Sequence, residues 1–210
     1  MKKPLLLISL LSIALISLSA SSSWIGVQGF SSHGNKTTTY KLGSAEFKEE
    51  SSTILSGVNI TGSIYPGDSA FGLGLQIGTA KMVKATNGSS EEDVSDYPLT
   101  WNGGISGLYR LGAADSVALE FGIGLLSERM TKAANSSGSE VIFTLDSLGL
   151  ITSANLLVAL SDNLSLVGGI TAVSNLHTKG KVTSGNLAYD KDFKTSGYAL
   201  QGQVGVGFNL

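Results

Sequence analysis

The sequence predicts an all-β fold: an eight-stranded antiparallel up-and-down transmembrane β-barrel preceded by a cleaved signal peptide. Three observations carry this. An apolar stretch behind two lysines opens the chain, period-two alternation runs through eight later segments, and those segments are almost free of charge. Charged residues make up 14% of the 210 residues, against ~25% in soluble domains. The 27 glycines are also in excess of ordinary usage.

Lys2 and Lys3 form a basic n-region, residues 5–18 carry no charge and are mostly apolar, and Ser19-Ala20-Ser21 offers small residues for cleavage. This is the layout of a secretory signal peptide over residues 1–20, leaving 21–210 as the barrel. The apolar core is too short to span a bilayer comfortably as a helix. Without Lys2 and Lys3 there remain 12 basic and 16 acidic residues, a net charge of −4. That balance gives no electrostatic case for a nucleic-acid partner. The absence of Cys excludes a disulfide framework, a Cys-based zinc site and a lipidated N-terminal Cys.

The strands are read from alternation. Residues 24–32 fit either phase, and 54–65 alternates less perfectly. In 70–80, Phe71, Leu73, Leu75 and Ile77 oppose Gly72, Gly74, Gln76 and Gly78. Residues 99–111 alternate less perfectly again. In 117–127, Val117, Leu119, Phe121, Ile123 and Leu125 oppose Ala118, Glu120, Gly122 and Gly124. The sixth strand, 148–160, follows a slip of phase near residues 146–148, read as a bulge or a strand end. Residues 164–176 and 198–210 complete the set. The last strand sets Leu200, Val204, Val206 and Phe208 against Gln201, Gln203, Gly205 and Gly207.

Only two charges fall within these eight segments, Arg110 and Glu120, both on the face of small and polar residues. A soluble barrel would turn that face to water, a surface nearly devoid of Lys and Glu. A membrane barrel turns the apolar face to lipid and the small polar face to the lumen. A Lys or Arg facing lipid at the midplane costs ~2–4 kcal/mol, which accounts for their absence from the apolar face. Closure leaves no unpaired strand edge in hydrocarbon. Segments of 9–13 residues match the ~9–11 needed for a tilted spanning strand.

Connections alternate in length. Residues 66–69, 112–116 and 161–163 are short and rich in turn formers, whereas 33–53, 81–98, 128–147 and 177–197 are long and polar. Short turns belong to the periplasmic side and long loops to the cell exterior, which places both termini in the periplasm. Phe71, Tyr109, Phe121 and Phe208 are expected in one aromatic belt, and Tyr97, Trp101 and Tyr198 in the other. A hairpin centred on Ala114 would set Arg110 opposite Ala118. Arg110 and Glu120 would then be diagonal neighbours in the lumen, a structural pair or a gate, with coupling on the order of 1 kcal/mol in a wet interior.

In these features the chain resembles small bacterial outer-membrane barrels, the group of the OmpA membrane domain, OmpX and OmpW-like proteins, over about residues 21–210. The C-terminal strand carries the most specific part. Gln203, Gly205, Phe208 and Leu210 resemble the sorting signal read by barrel-insertion machinery, with Leu where bacterial barrels usually end in Phe. The resemblance implies an outer-membrane location, outer-membrane lipid and the insertion machinery as partners, and no cofactor. A peptidoglycan-binding domain of the OmpA type is not expected, since Leu210 ends the sequence.

Eight strands enclose an interior just wide enough for side chains to fill. The leading expectation is therefore a non-enzymatic barrel that displays its loops for adhesion, surface interaction or envelope integrity, with at most a narrow pore. Loops 33–53 and 177–197 are the candidate contact surfaces for an extracellular ligand. The second expectation is an OmpW-like narrow channel for small apolar molecules, with Leu108, Leu126, Val167 and Val173 as lumen candidates. A lipid A-modifying enzyme is the third. His33 and His177, beside Ser31, Ser32 and Thr178, are its only candidates, and no nucleophile–base motif joins them.

Overall fold

The computed structural model describes residues 23–67, 69–95, 97–112 and 116–210 apart from 43–44, 137–138 and 185–186; side chains are described except at 40–47, 132–140 and 184–194. The expected signal peptide lies outside the described residues. Among the described residues there are nine strands: β1 Trp24–Leu42, β2 Ala45–Ile64, β3 Phe71–Asn87, β4 Ser90–Glu92, β5 Thr100–Gly112, β6 Val117–Ser136, β7 Ser139–Ser161, β8 Leu164–Ser184 and β9 Leu187–Asn209. Each long strand pairs antiparallel with its sequence neighbour. Because β1 also pairs with β9, eight strands close into a barrel, with β4 hooked onto the upper part of β3.

The alternation read from the sequence fixes the two faces. Ile25, Val27, Leu73, Leu75, Ile123 and Val204 are exposed on the outer face, whereas Trp24, Gln28, Asn59, Glu120, Val167 and Gln201 are buried in the lumen. Residues 24–32, ambiguous in sequence, put Trp24, Gln28 and Phe30 inside. The phase slip before residue 149 is a register shift between Leu148 and Gly149. Gly112 ends β5 with φ of +93°, a conformation a side chain would strain, and a Cβ there would come within 2.4 Å of the Val117 carbonyl oxygen.

One expectation is corrected. The four long connections are mostly not loops, because the strands continue through them. β1 and β2 stay paired from Trp24↔Ser63 out to Leu42↔Ala45, and β6 and β7 from Val117↔Val158 to Ser136↔Ser139. Paired β-branched and polar residues keep satisfying backbone groups beyond the apolar band, so nothing in the chain stops the ladder there. A strand of 20 residues rises roughly 65 Å, about twice what spanning requires, so the barrel carries tall arms on one side.

The aromatic belts follow the expected placement with one exception. Phe71, Tyr109 and Phe121 sit side by side in register on β3, β5 and β6 at the short-turn end, with the Phe71 and Tyr109 rings 5.1 Å apart. Trp101 and Tyr198 are exposed toward the other end. Tyr97 does not join them; it lines the interior and donates a hydrogen bond to Glu92 at 3.1 Å.

Candidate functional site

The β5–β6 hairpin is centred one residue later than Ala114, which places Arg110 directly opposite Glu120 rather than diagonal to it. Both point into the lumen at the short-turn end, with side chains 5% and 1% exposed. Arg110 reaches one carboxylate oxygen, Glu120 Oε1, through Nη2 at 2.6 Å and Nε at 3.1 Å. The same oxygen accepts hydrogen bonds from Tyr65 Oη at 2.9 Å, Trp24 Nε1 at 3.1 Å and Ser63 Oγ at 3.2 Å. The Arg110 guanidinium stacks 3.8 Å from the centre of the Tyr65 ring.

The local sequence explains how these side chains converge. Ser63 and Tyr65 are two residues apart where β2 ends, so both face inward, and Trp24 opens β1 directly opposite Ser63. Trp24 also packs with Ala118, Leu157 and Val167 into a small apolar cluster at the same level. Together the ion pair, the two aromatic rings and this cluster crowd the short-turn end of the lumen, leaving beside Trp24, Ser63 and Glu120 a cavity of ≈ 50 Å³. An unpaired charge here would be costly, and each charge has its partner.

Above the plug, amides line the lumen. Gln76 donates to Asn102 and Asn102 to Asn59, while Gln201 donates to Gln203 and Gln203 to Asn155. Gln28 is wholly buried between them, with neither amide atom bonded to protein, beside the same cavity of ≈ 50 Å³. Leu108 reaches across this level toward Gly74 and Gly122, where added Cβ atoms would come within 3.2 and 3.0 Å of it.

Toward the arms the interior widens into a chamber of ≈ 390 Å³. Leu55, Met82, Met130 and Leu145 supply apolar wall, and Glu49, Glu92, Glu128 and Lys36 supply charge. Below it, a pocket of ≈ 30 Å³ is lined by Leu126, Val173, Asn175 and Tyr198. It lies beside a break in the β8–β9 ladder, where pairing stops at Ser174↔Tyr198 and resumes at Thr178↔Phe193.

Leu108, Leu126 and Val167 are buried inside as expected, and Val173 lines the lower pocket. Sequence reasoning missed Trp24, Phe30, Leu55, Met82, Ile151 and Leu157 as lumen residues. Trp24 and Phe30 were hidden by the ambiguous phase of 24–32, and Met82 by its place outside the expected strand. His33 is exposed, one residue after the inward Ser32, so the two side chains leave opposite faces of β1. Thr178 faces inward and its hydroxyl is engaged with Asn175 and Ser147, while His177 is exposed. The strand geometry turns Ser32 and Thr178 away from the adjacent His33 and His177, whereas Ser31 shares the outer face with His33. Gln203 and Gly205 face the lumen, and Phe208 and Leu210 are exposed outside, the disposition expected of a last lipid-facing strand.

No protein-family model matches the chain, and no curated protein matches it in sequence. Solved structures do match. The outer membrane protein OprG from Pseudomonas aeruginosa superposes with a TM-score of 0.60 at 14% identity, over 91% of this chain and 97% of that one. A major outer membrane protein from Thermus thermophilus gives 0.54 at 11% identity, over 86% and 99%. The outer membrane protein AlkL gives 0.50 at 15% identity, over 91% of both. At such identities the likeness is one of fold: the chain has the eight-stranded architecture of small bacterial outer-membrane β-barrels.

Proposed function

We propose that the protein resides in the bacterial outer membrane, with termini and short turns in the periplasm, and presents its arms and the chamber between them to the exterior without catalysing a reaction. The observation that carries this reading is the buried Glu120 cluster. It crowds the short-turn end of the lumen, with the ≈ 390 Å³ chamber toward the arms, which favours surface interaction over free diffusion through the barrel. Outer-membrane lipid surrounds the apolar face, and the insertion machinery reads Gln203, Gly205, Phe208 and Leu210 during assembly. The test is planar-bilayer recording of the refolded full chain. Wild type should show at most small, brief openings; steady conductance of porin size would overturn the reading.

A second reading is favoured by the interrupted β8–β9 ladder. A small apolar molecule entering the chamber could leave sideways past Leu126, Val173 and Tyr198 without crossing the plug, in the manner of a narrow OmpW-like channel. Uptake of such a solute by cells, abolished by filling the lower pocket with Val173→Trp while conductance stays closed, would favour this reading over a purely displaying barrel.

A further inference from the structure

We propose that the chamber is a binding site for a small organic cation carrying a short apolar tail, an inference that rests on the chamber being open to the exterior. Its ≈ 390 Å³ lies within the ~300–1,000 Å³ of small-molecule sites. Carboxylates reach it from three strands: Glu49 from β2, Glu92 from β4 and Glu128 from β6. Lys36 is the one cation among the described lining residues. Among the described lining residues the excess is two negative charges around a concave space, which attracts a cation and repels an anion.

Two of the carboxylates are fixed. Glu49 accepts a hydrogen bond from the Asn87 amide, and Glu92 accepts one from Tyr97 Oη at 3.1 Å. Neutral donors hold their orientation without cancelling their charge. Beneath and between them, Met82 and Leu55 face each other across β2 and β3, with Met130 and Leu145 on the opposite wall. Methionine side chains adapt to irregular apolar guests. On β9, Thr195 Oγ1 has no hydrogen-bond partner among the described residues, and the residue lines the chamber. An ammonium head therefore meets the carboxylates, and its tail meets thioethers and leucines. A neutral alkyl chain gains only the second half of this, and a carboxylate-headed one is opposed by the first.

The test uses the full chain refolded in nanodiscs of zwitterionic lipid, titrated calorimetrically with hexyltrimethylammonium, hexanol and hexanoate, with empty nanodiscs subtracted. The cation should bind roughly fivefold to tenfold tighter than hexanol, hexanoate weakest, with the preference falling as salt rises. Glu128→Gln combined with Glu49→Gln should bring the cation to the level of hexanol. Lys36→Met should tighten it a few-fold, and this variant keeps the test decisive where the glutamine pair fails to fold. Equal binding of the three probes, preference for hexanoate, or indifference to all three substitutions would overturn the proposal. Bilayer recordings on the same preparation report separately on whether the barrel is closed.

Discussion

Replacing Glu120 with Ala should be among the most damaging single changes in the barrel, and more damaging than Arg110→Ala. The sequence suggested a wet lumen and coupling near 1 kcal/mol. The structure instead buries both side chains almost completely and concentrates the donors on one oxygen, Glu120 Oε1. Removing Glu120 takes the carboxylate from Arg110 and the acceptor from Trp24, Tyr65 and Ser63 at once. Breaking a buried pair from one side costs ~3–5 kcal/mol, so Glu120→Ala should fall at the top of that range. Arg110→Ala leaves the carboxylate with three neutral donors and should cost about 2–3 kcal/mol. The double variant should recover only part of the sum, because the hydroxyl and indole donors still lack their acceptor. A coupling of about 2 kcal/mol is the expected result. Urea titrations of refolding into lipid vesicles, followed by tryptophan fluorescence and by heat-modified gel mobility, give the four corners of the cycle. Coupling below ~0.5 kcal/mol, or equal losses for the two single variants, would mean that water reaches this site and the plug is not dry. Single-channel recordings of Glu120→Ala should show longer openings than wild type; unchanged closure with strong coupling would leave the pair a structural element and dispose of the gate.

Lys at Leu75 or Ile123 should cost ~2–4 kcal/mol in the same refolding assay, whereas Gln76→Lys, which points into a lumen of amides, should cost far less; equal penalties would reverse inside and outside. Arg129 and Asp146 face each other on the outside of β6 and β7 with contacts of 2.6 and 3.0 Å, which raises the Arg129 pKa through hydrogen bonding and charge, yet both are well exposed. Their double-mutant cycle should therefore give no more than about 0.5–1 kcal/mol, vanishing in high salt, and a larger value would place them in a drier setting than the outer arm. Phe208→Ser should reduce assembled protein in cell envelopes more than it reduces refolding of the purified chain; equal effects on both would assign Phe208 to lipid contact alone rather than to sorting.

Alternation and charge placement were enough to set the strand count, the closure and the inside of most strands. A period of two assigns every residue of a strand to one face once a single apolar residue is placed, and lipid forbids charge on the other. Leu73, Leu75, Ile123, Val204 and Gln203 could thus be placed from the sequence alone, and the slip near residue 148 was visible as a phase error. The extent of the arms was not, because beyond the apolar band no solvent constraint distinguishes a paired polar strand from a loop. Tyr40↔Phe47 and Thr131↔Thr144 pair as regularly as any residues in the membrane, but their sequence carries no signature of it. The Glu120 cluster was half legible: the two charges stood out, whereas their direct pairing depended on a shift of one residue in the hairpin centre. Trp24, Ser63 and Tyr65 lie 55 to 96 residues from Glu120 in sequence, and only closure of the barrel brings them to one oxygen. The chamber was not legible at all, since its carboxylates lie in segments that read as loops. Local periodicity determined which way each side chain faces; the stagger of the closed sheet decided which of the inward ones meet.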